Sequence, residues 1–414
     1  MRVLLVSANT EKITMPTVPL GLGLVAEAVR RARHEVEFVD LMFEADPEAT
    51  IRSRIAAFEP EAIGLSIRNI DDQSLREPQF LLAATRPVVA ACREACAAPL
   101  ILGGAGYSIF PDAALAYLGA DLGVCGDGEA ALPALLARLE RGEDPFGLPG
   151  VHVAGRGAAA RWRPCPHLAG LGEPAPETWQ AARIGGPEVF IPIQTRRGCP
   201  NDCSYCSTAS IQGRPIRTGP VRAVVDLVER LAVQGFRRFW FVDNSFNLPE
   251  AYALAMCHEL TARRLDIAWR CILYPRGITS RLASALAEAG CREVSLGFES
   301  GDAGILRRLN KRFDPAEVRA AASLLAEHGV ERHGFLLLGG PGETRDTVCR
   351  SLDFVASLHL EAMRITTGIR IYPGTALARY ARQAGMIDAD DDLLLPRFYL
   401  EPGLDPWIFD AVPS

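Results

Sequence analysis

The 414-residue sequence predicts an α/β protein of two domains in series. Three observations lead there. Runs of β-branched and apolar residues alternate with stretches of helical period over residues 1–144, and again over 188–385. A segment rich in Pro and Gly with little periodicity, 145–187, lies between the two series and reads as a linker. A short tail, 386–414, follows the second series. Hydrophobic residues make up 49% of the chain, ample for two buried cores.

In the first series, strands are expected at Arg2–Ser7, Glu35–Asp40, Ala62–Ile67, Pro99–Leu102 and Asp121–Val124. Helical patterns span Leu20–Ala32, Pro47–Phe58, Pro78–Ala97 and Glu129–Arg141. Alternation at these lengths implies a Rossmann-like parallel sheet covered on both faces, which takes ligands beyond the carboxyl ends of its strands. Val151–Ala154 reads as a small strand inside the linker. In the second series, strands are expected at Val189–Thr195, Arg237–Asp243, Ile267–Ile272, Glu293–Phe298, Arg332–Leu338 and Met363–Tyr372. The helices between them are Val221–Gln234, Pro249–Arg263, Ser280–Ala289, Pro315–His328 and Thr344–His359. Six such units suit a partial (β/α)6 barrel whose ligand groups gather at the C-terminal strand ends. The barrel mouth then needs a cover: the first domain, the tail or a partner.

A net charge of −6 speaks against a nucleic-acid partner. Eleven cysteines without a secretory signal point to reduced thiols in a cytosol. The apolar N-terminus is too short for a signal peptide, and no run approaches the about 20 apolar residues that span a bilayer. A cytoplasmic protein with no membrane partner is expected. Lysine occurs only as Lys12 and Lys311, which reads as coding bias.

The chemistry is concentrated in Thr195-Arg-Arg-Gly-Cys199-Pro-Asn-Asp-Cys203-Ser-Tyr-Cys206. Three cysteines at C-x3-C-x2-C spacing, in a loop at a strand end, suit zinc or an iron–sulfur cluster. A structural zinc site wants four protein ligands. The nearest spare, Cys165, lies upstream among prolines, and it and His167 read as ordinary connection. Three ligands on a four-iron cluster leave one iron free. In the first domain, loops follow the strands at Pro16–Gly23, Ser66–Asp72, Gly103–Ser108 and Gly126–Glu129, and all but the second bear glycine. Glycine lets backbone approach a flat or phosphate-bearing ligand closely. No G-x-G-x-x-G opens the first helix, so a dinucleotide is not expected.

The cysteine motif, with the aromatic Tyr205 before its last Cys, resembles the signature of the radical S-adenosylmethionine (SAM) enzymes. The resemblance implies that Cys199, Cys203 and Cys206 hold a [4Fe–4S] cluster whose open iron binds SAM. One electron, from a donor such as flavodoxin or ferredoxin, then gives methionine and a 5′-deoxyadenosyl radical. Family-like segments follow in order. Asp243 and Ser245 fall near SAM's amino group; Glu299 and Ser300, in Gly297-Phe-Glu-Ser-Gly301, near its polar end and ribose. Lys311 or Arg312 meets its carboxylate, Gly339 and Gly340 lie along its adenine, and Tyr205 joins the same site; Tyr372 is expected to pack in the core or rim.

The first half resembles the cobalamin-binding domain that precedes the radical domain in one branch of these enzymes. That implies cobalamin contacts from Ser66, Arg68, Asn69, Gly103, Gly104, Tyr107, Gly126, Gly128 and Glu129. The D-x-H-x-x-G motif, whose His ligates cobalt from below, is missing, so Arg68, Asn69 or Tyr107 is expected to face the cobalt. The implied function is methylation of an unactivated carbon, or of phosphorus, in a small-molecule or peptide substrate. Methylcobalamin would supply the methyl group and a further SAM would restore it. The alternatives are a non-methylating radical cyclisation, rearrangement or oxidation, and a corrinoid or iron–sulfur binding protein without catalysis.

Overall fold

The structure, a computed structural model, describes residues 1–11, 16–166, 168, 173–186 and 189–412. Lys12, His167 and the expected boundary at 187/188 fall outside them. The first sheet contains β1 (Arg2–Ser7), β2 (Glu35–Asp40), β3 (Ala62–Ser66), β4 (Leu100–Gly103), β5 (Leu122–Val124) and β6 (Val151–Val153), in the order β2-β1-β3-β4-β5-β6. Its first five strands are parallel, and β6 closes the edge antiparallel to β5. The sheet thus takes one strand out of the stretch read as linker. Val3 to Val6 are all at most 1% exposed, as a strand covered on both faces requires.

The second body holds β7 (Ile191–Ile193), β8 (Arg196–Arg197), β9 (Arg217–Thr218), β10 (Arg238–Phe241), β11 (Ala268–Leu273), β12 (Cys291–Glu299), β13 (Glu331–Leu338) and β14 (Ala362–Thr367). Six of these form one parallel sheet, β7-β10-β11-β12-β13-β14, while β8 and β9 pair with each other. Period two sorts the wall: Val294, Leu296 and Phe298 of β12 are buried in the apolar core, while Glu293, Ser295, Gly297 and Glu299 face the other side. Helices begin on sequence-encoded caps. Asp46 accepts from Ala49 N before Pro47–Phe58, and Asp314 with Glu317 forms a capping box at Pro315–Glu327.

Two departures from expectation have local causes. The helix expected over Pro78–Ala97 starts only at Thr85, after a 3-10 turn at Leu81–Ala84. The carboxylates of Asp71 and Asp72 take the backbone N–H groups of Gln73, Ser74 and Gln79, which folds this stretch as a loop. The sixth barrel strand, expected to reach Tyr372, stops at Thr367. Gly368 has φ +76°, and a Cβ there would meet the Leu75 side chain at 2.4 Å. The chain then forms β15 (Ile369–Arg370), antiparallel to β16 (Phe398–Tyr399).

The end of the chain serves both bodies. Ile369, Ile371, Leu377 and Tyr399 share an apolar core with Leu102, Tyr107 and Phe110 of the first domain, whereas Leu404, Ile408 and Val412 join the barrel core. Arg370 donates to Asp71 across the domain junction at 2.8 Å, both side chains 2% exposed.

Candidate active site between the two domains

The cysteine loop is a closed excursion between β8 and β9. Gly198 (φ +94°) starts it, where a Cβ would lie 2.1 Å from the carbonyl oxygen of Pro215, so only glycine fits. Gly198 N donates to Gln212 Oε1 (3.1 Å) and Cys199 N to Gly213 O (3.1 Å). Ser204 N donates to Leu309 O (3.0 Å), and its carbonyl accepts from Leu377 N (2.8 Å). Asp202 is tied to Asn310 and Arg312. The loop is therefore held from both sides before any metal arrives.

Burial pushes the Cys199 and Cys203 thiols up, Cys206 adds to that, and the Lys311 ammonium works against it. Among the described residues no three His, Cys, Asp or Glu side chains converge to hold a single metal ion. The three thiols lie within electrostatic range of one another, and three soft thiolate donors suit an iron–sulfur cluster.

Beside the loop stands a charged pair. Glu299 takes a left-handed conformation (φ +67°) at a β-bulge, uncommon for a residue with a side chain. Its Oε1 accepts from Tyr205 Oη (2.9 Å) and Lys311 Nζ (3.0 Å). Burial opposes the Lys311 charge, but Glu299, Tyr205 and Cys203 together hold its pKa well above the ordinary value. Tyr205, Glu299 and Lys311 are thus gathered with the cysteines.

The other residues assigned to SAM by resemblance have protein partners of their own. Asp243 is 1% exposed and accepts from Thr195 N (2.8 Å), Thr195 Oγ1 (2.6 Å) and Arg196 N (3.1 Å), anchoring the root of the loop. Ser300 is fully buried against Ser351, Ser245 donates to Asn244 O, and Arg312 is paired with Asp202 at the surface. Gly339 and Gly340 donate to Glu343, and a Cβ on Gly339 would strike Leu400 at 2.5 Å. Gly339, with φ +92°, is demanded by packing against the end of the chain, whereas a Cβ on Gly340 would come no closer than 3.1 Å to Ile369. Tyr372 packs beside Phe110 of the first domain, with Arg370 over its ring.

At the C-terminal ends of β1, β3, β4 and β5 lies a cavity of about 400 Å³. Of the nine residues expected to meet cobalamin, Ser66, Arg68, Gly103, Gly104, Gly126, Gly128 and Glu129 line it. Asn69 does not line it. Tyr107 is fully buried beneath the sheet, so close to Gly123 that a Cβ there would sit 1.9 Å from the phenol oxygen. Glu129 lines the cavity, but its carboxylate is engaged by Arg197.

Three features leave room and need for a ligand. A Cβ on Gly103 would meet no protein atom closer than 3.8 Å. The buried Asn9 Nδ2 has no hydrogen-bond partner among the described residues. Arg68 lines the cavity, stays exposed there, and none of the described carboxylates pairs with it. A corrinoid, with its ring of amide side chains, fits such a wall. No histidine is among the described residues lining the cavity.

The cavity also reaches the barrel, through Pro192, Gln194, Arg197, Ile211, Gln212 and Val242. Sequence reasoning missed Asn9 and these barrel residues. Asn9 could have been found, because it directly follows the first strand at the end where such sheets bind ligands. The barrel contribution depends on how the two bodies dock, which no local pattern encodes.

Comparison with known proteins follows the same division. The family model described as "B12 binding domain" matches residues 6–136, and that of the "Radical SAM superfamily" matches 193–355. The chain is 25% identical to a tryptophan 2-C-methyltransferase of Streptomyces laurentii, over 90% of this chain and 73% of that one. It is 26% identical to an uncharacterized methyltransferase of Pyrococcus horikoshii, over 92% and 83%. Its fold matches the radical SAM methyltransferase TsrM from Kitasatospora setae, solved with tryptophan and a SAM analog, with a TM-score of 0.87 at 24% identity; the match covers 99% of this chain and 87% of that one.

Proposed function

The chain belongs to the radical SAM superfamily and carries a B12 binding domain before its barrel, and from this we propose that it is a cobalamin-dependent methyltransferase acting on carbon in a small molecule. One observation carries the reading: a single cavity is lined both by the loops at the carboxyl ends of the first sheet and by the root of the cysteine loop. When bound, a [4Fe–4S] cluster supplies an electron for cleaving SAM, and cobalamin carries the methyl group. One relative supports the choice of carbon, since it is named as a tryptophan 2-C-methyltransferase.

The roles of this chain's residues follow from their chemistry. Cys199, Cys203 and Cys206 hold the cluster. Lys311 and Glu299 place one cation and one anion beside it, a complement to the carboxylate and ammonium of SAM's amino-acid end. Of the three residues expected to face the cobalt, Arg68 is the one on the cavity wall, where Asn9 is available to a corrin amide. The walls position the reactants, and the cofactors do the bond-making. The test is anaerobic reconstitution with iron, sulfide and cobalamin, then turnover with methyl-deuterated SAM over a set of small aromatic and phosphonate substrates. Label on a product carbon with release of S-adenosylhomocysteine supports the reading. A fully loaded enzyme that releases no S-adenosylhomocysteine with any substrate it consumes overturns it.

A further inference from the structure

The Gly126-Asp127-Gly128-Glu129 segment and the Arg196-Arg197-Gly198-Cys199 segment meet in a closed set of charges. Arg197 Nη1 donates to Asp127 Oδ1 (2.9 Å) and Glu129 Oε2 (3.1 Å), and Arg197 Nη2 to Glu129 Oε1. Arg217 Nη1 donates to Asp127 Oδ2 and to the carbonyl of Cys165 (2.9 Å). The four side chains are 3–8% exposed. The pairing of β8 with β9 sets Arg197 directly opposite Arg217, so two guanidinium groups lie side by side. Within the barrel alone these like charges would repel. The two carboxylates that neutralise them come from the other domain, at the wall of the corrinoid cavity.

Arg196 makes the complementary attachment. It lies against Asp243 (3.4 Å), donates to Leu248 O (2.6 Å), and stacks on Tyr252 and Phe246, all within the barrel. Consecutive residues therefore tie the root of the cysteine loop to both bodies. A buried charge set of this kind gives little net stability compared with apolar packing, but it admits one register only.

We propose that Arg197 and Arg217, clasped by Asp127 and Glu129, are positioning residues that fix the cluster loop over the corrinoid cavity. The inference rests on the reading that both cofactors bind where proposed. It assigns the Asp and Glu of this segment a task other than holding cobalamin: they set where the cluster stands relative to the corrinoid.

The test uses Glu129→Gln, nearly isosteric, and Arg197→Lys, which keeps the charge and loses the fork. In protein without cofactors, hydrogen exchange should quicken in 198–216 while β1, β3 and β4 keep their protection. In reconstituted enzyme both variants should still bind iron, and because both residues line the corrinoid cavity, coupling and rate are compared per bound corrinoid. The magnetic coupling between reduced cluster and Co(II), read from electron paramagnetic resonance line shapes, should weaken and spread. Methyl transfer should fall by as much as about 100-fold, the order expected for roughly 1 Å of misplacement, with the KM for SAM unchanged. If either variant fails to fold, the other carries the test. Unchanged coupling and rate, with only a lower melting temperature, overturns the clasp as a positioning device. Parent protein that binds no corrinoid overturns the functional reading beneath it instead.

Discussion

Asp71→Asn isolates a second charge that joins the two bodies. Asp71 accepts from Arg370 Nε at 2.8 Å, and both side chains are 2% exposed. The guanidinium also donates to the carbonyls of Ile371 (2.6 Å), Leu393 (2.8 Å) and Leu394 (3.3 Å), and rests on the rings of Tyr372 and Phe110. Asparagine keeps the shape and an acceptor for Gln73 N, but leaves a buried arginine without its counter-ion. Breaking a buried pair from one side costs about 3–5 kcal/mol. The three carbonyls that remain place this case at the lower end, about 3 kcal/mol. Urea unfolding followed by both tryptophan fluorescence and circular dichroism should show that loss, and the two signals should separate if the bodies come apart before they melt. Asp144→Asn, at the exposed pair with Arg156, is the control and should change nothing measurable. A cost for Asp71→Asn below about 1 kcal/mol would refute the description of the junction as a desolvated ion pair.

Cys203→Ala should abolish the visible absorbance of the reconstituted cluster, while Cys349→Ala, on the exposed face of a barrel helix, should leave it intact. Glu343 has its carboxyl pKa pushed by burial up to about 7 from 4.5. A raised acid pKa means the folded state holds its proton longer, so this group's stabilisation is present at acid pH and lost as pH climbs from about 4.5 through about 7. The loss amounts to roughly 3 kcal/mol, and Glu343→Gln should flatten that slope in urea midpoints taken across pH. Gly126→Val should destabilise the fold before it touches any ligand, because a Cβ there would meet the Trp162 ring at 2.4 Å. Thermal melts of the protein without cofactors measure this.

Most of the architecture could be read from local pattern, because strand and helix periods are local properties. The five parallel strands of the first sheet and the six of the barrel sit where apolar runs place them. The errors arose where side chains override period. Asp71 and Asp72 turn an expected helical turn into a loop, and Gly368 ends a strand early. The site was legible in the same measure. The cysteine loop and the glycine loops could be found because their residue types are unusual at strand ends. The partners of Glu129 could not, because Arg197 lies 68 residues away in another domain. The motif assigned Glu299 to SAM's polar end and ribose, yet its pairing with Tyr205 of the cluster loop and with Lys311 is visible only in three dimensions.

The measurement that bears most directly on the central claim counts products. In turnover with a substrate deuterated at the reacting carbon, the two halves working as one enzyme should yield 5′-deoxyadenosine and S-adenosylhomocysteine, both in proportion to methylated product, with deuterium in the 5′-deoxyadenosine. Turnover that gives 5′-deoxyadenosine and an altered substrate, but no S-adenosylhomocysteine, would contradict methyl transfer and leave a radical enzyme that does not methylate.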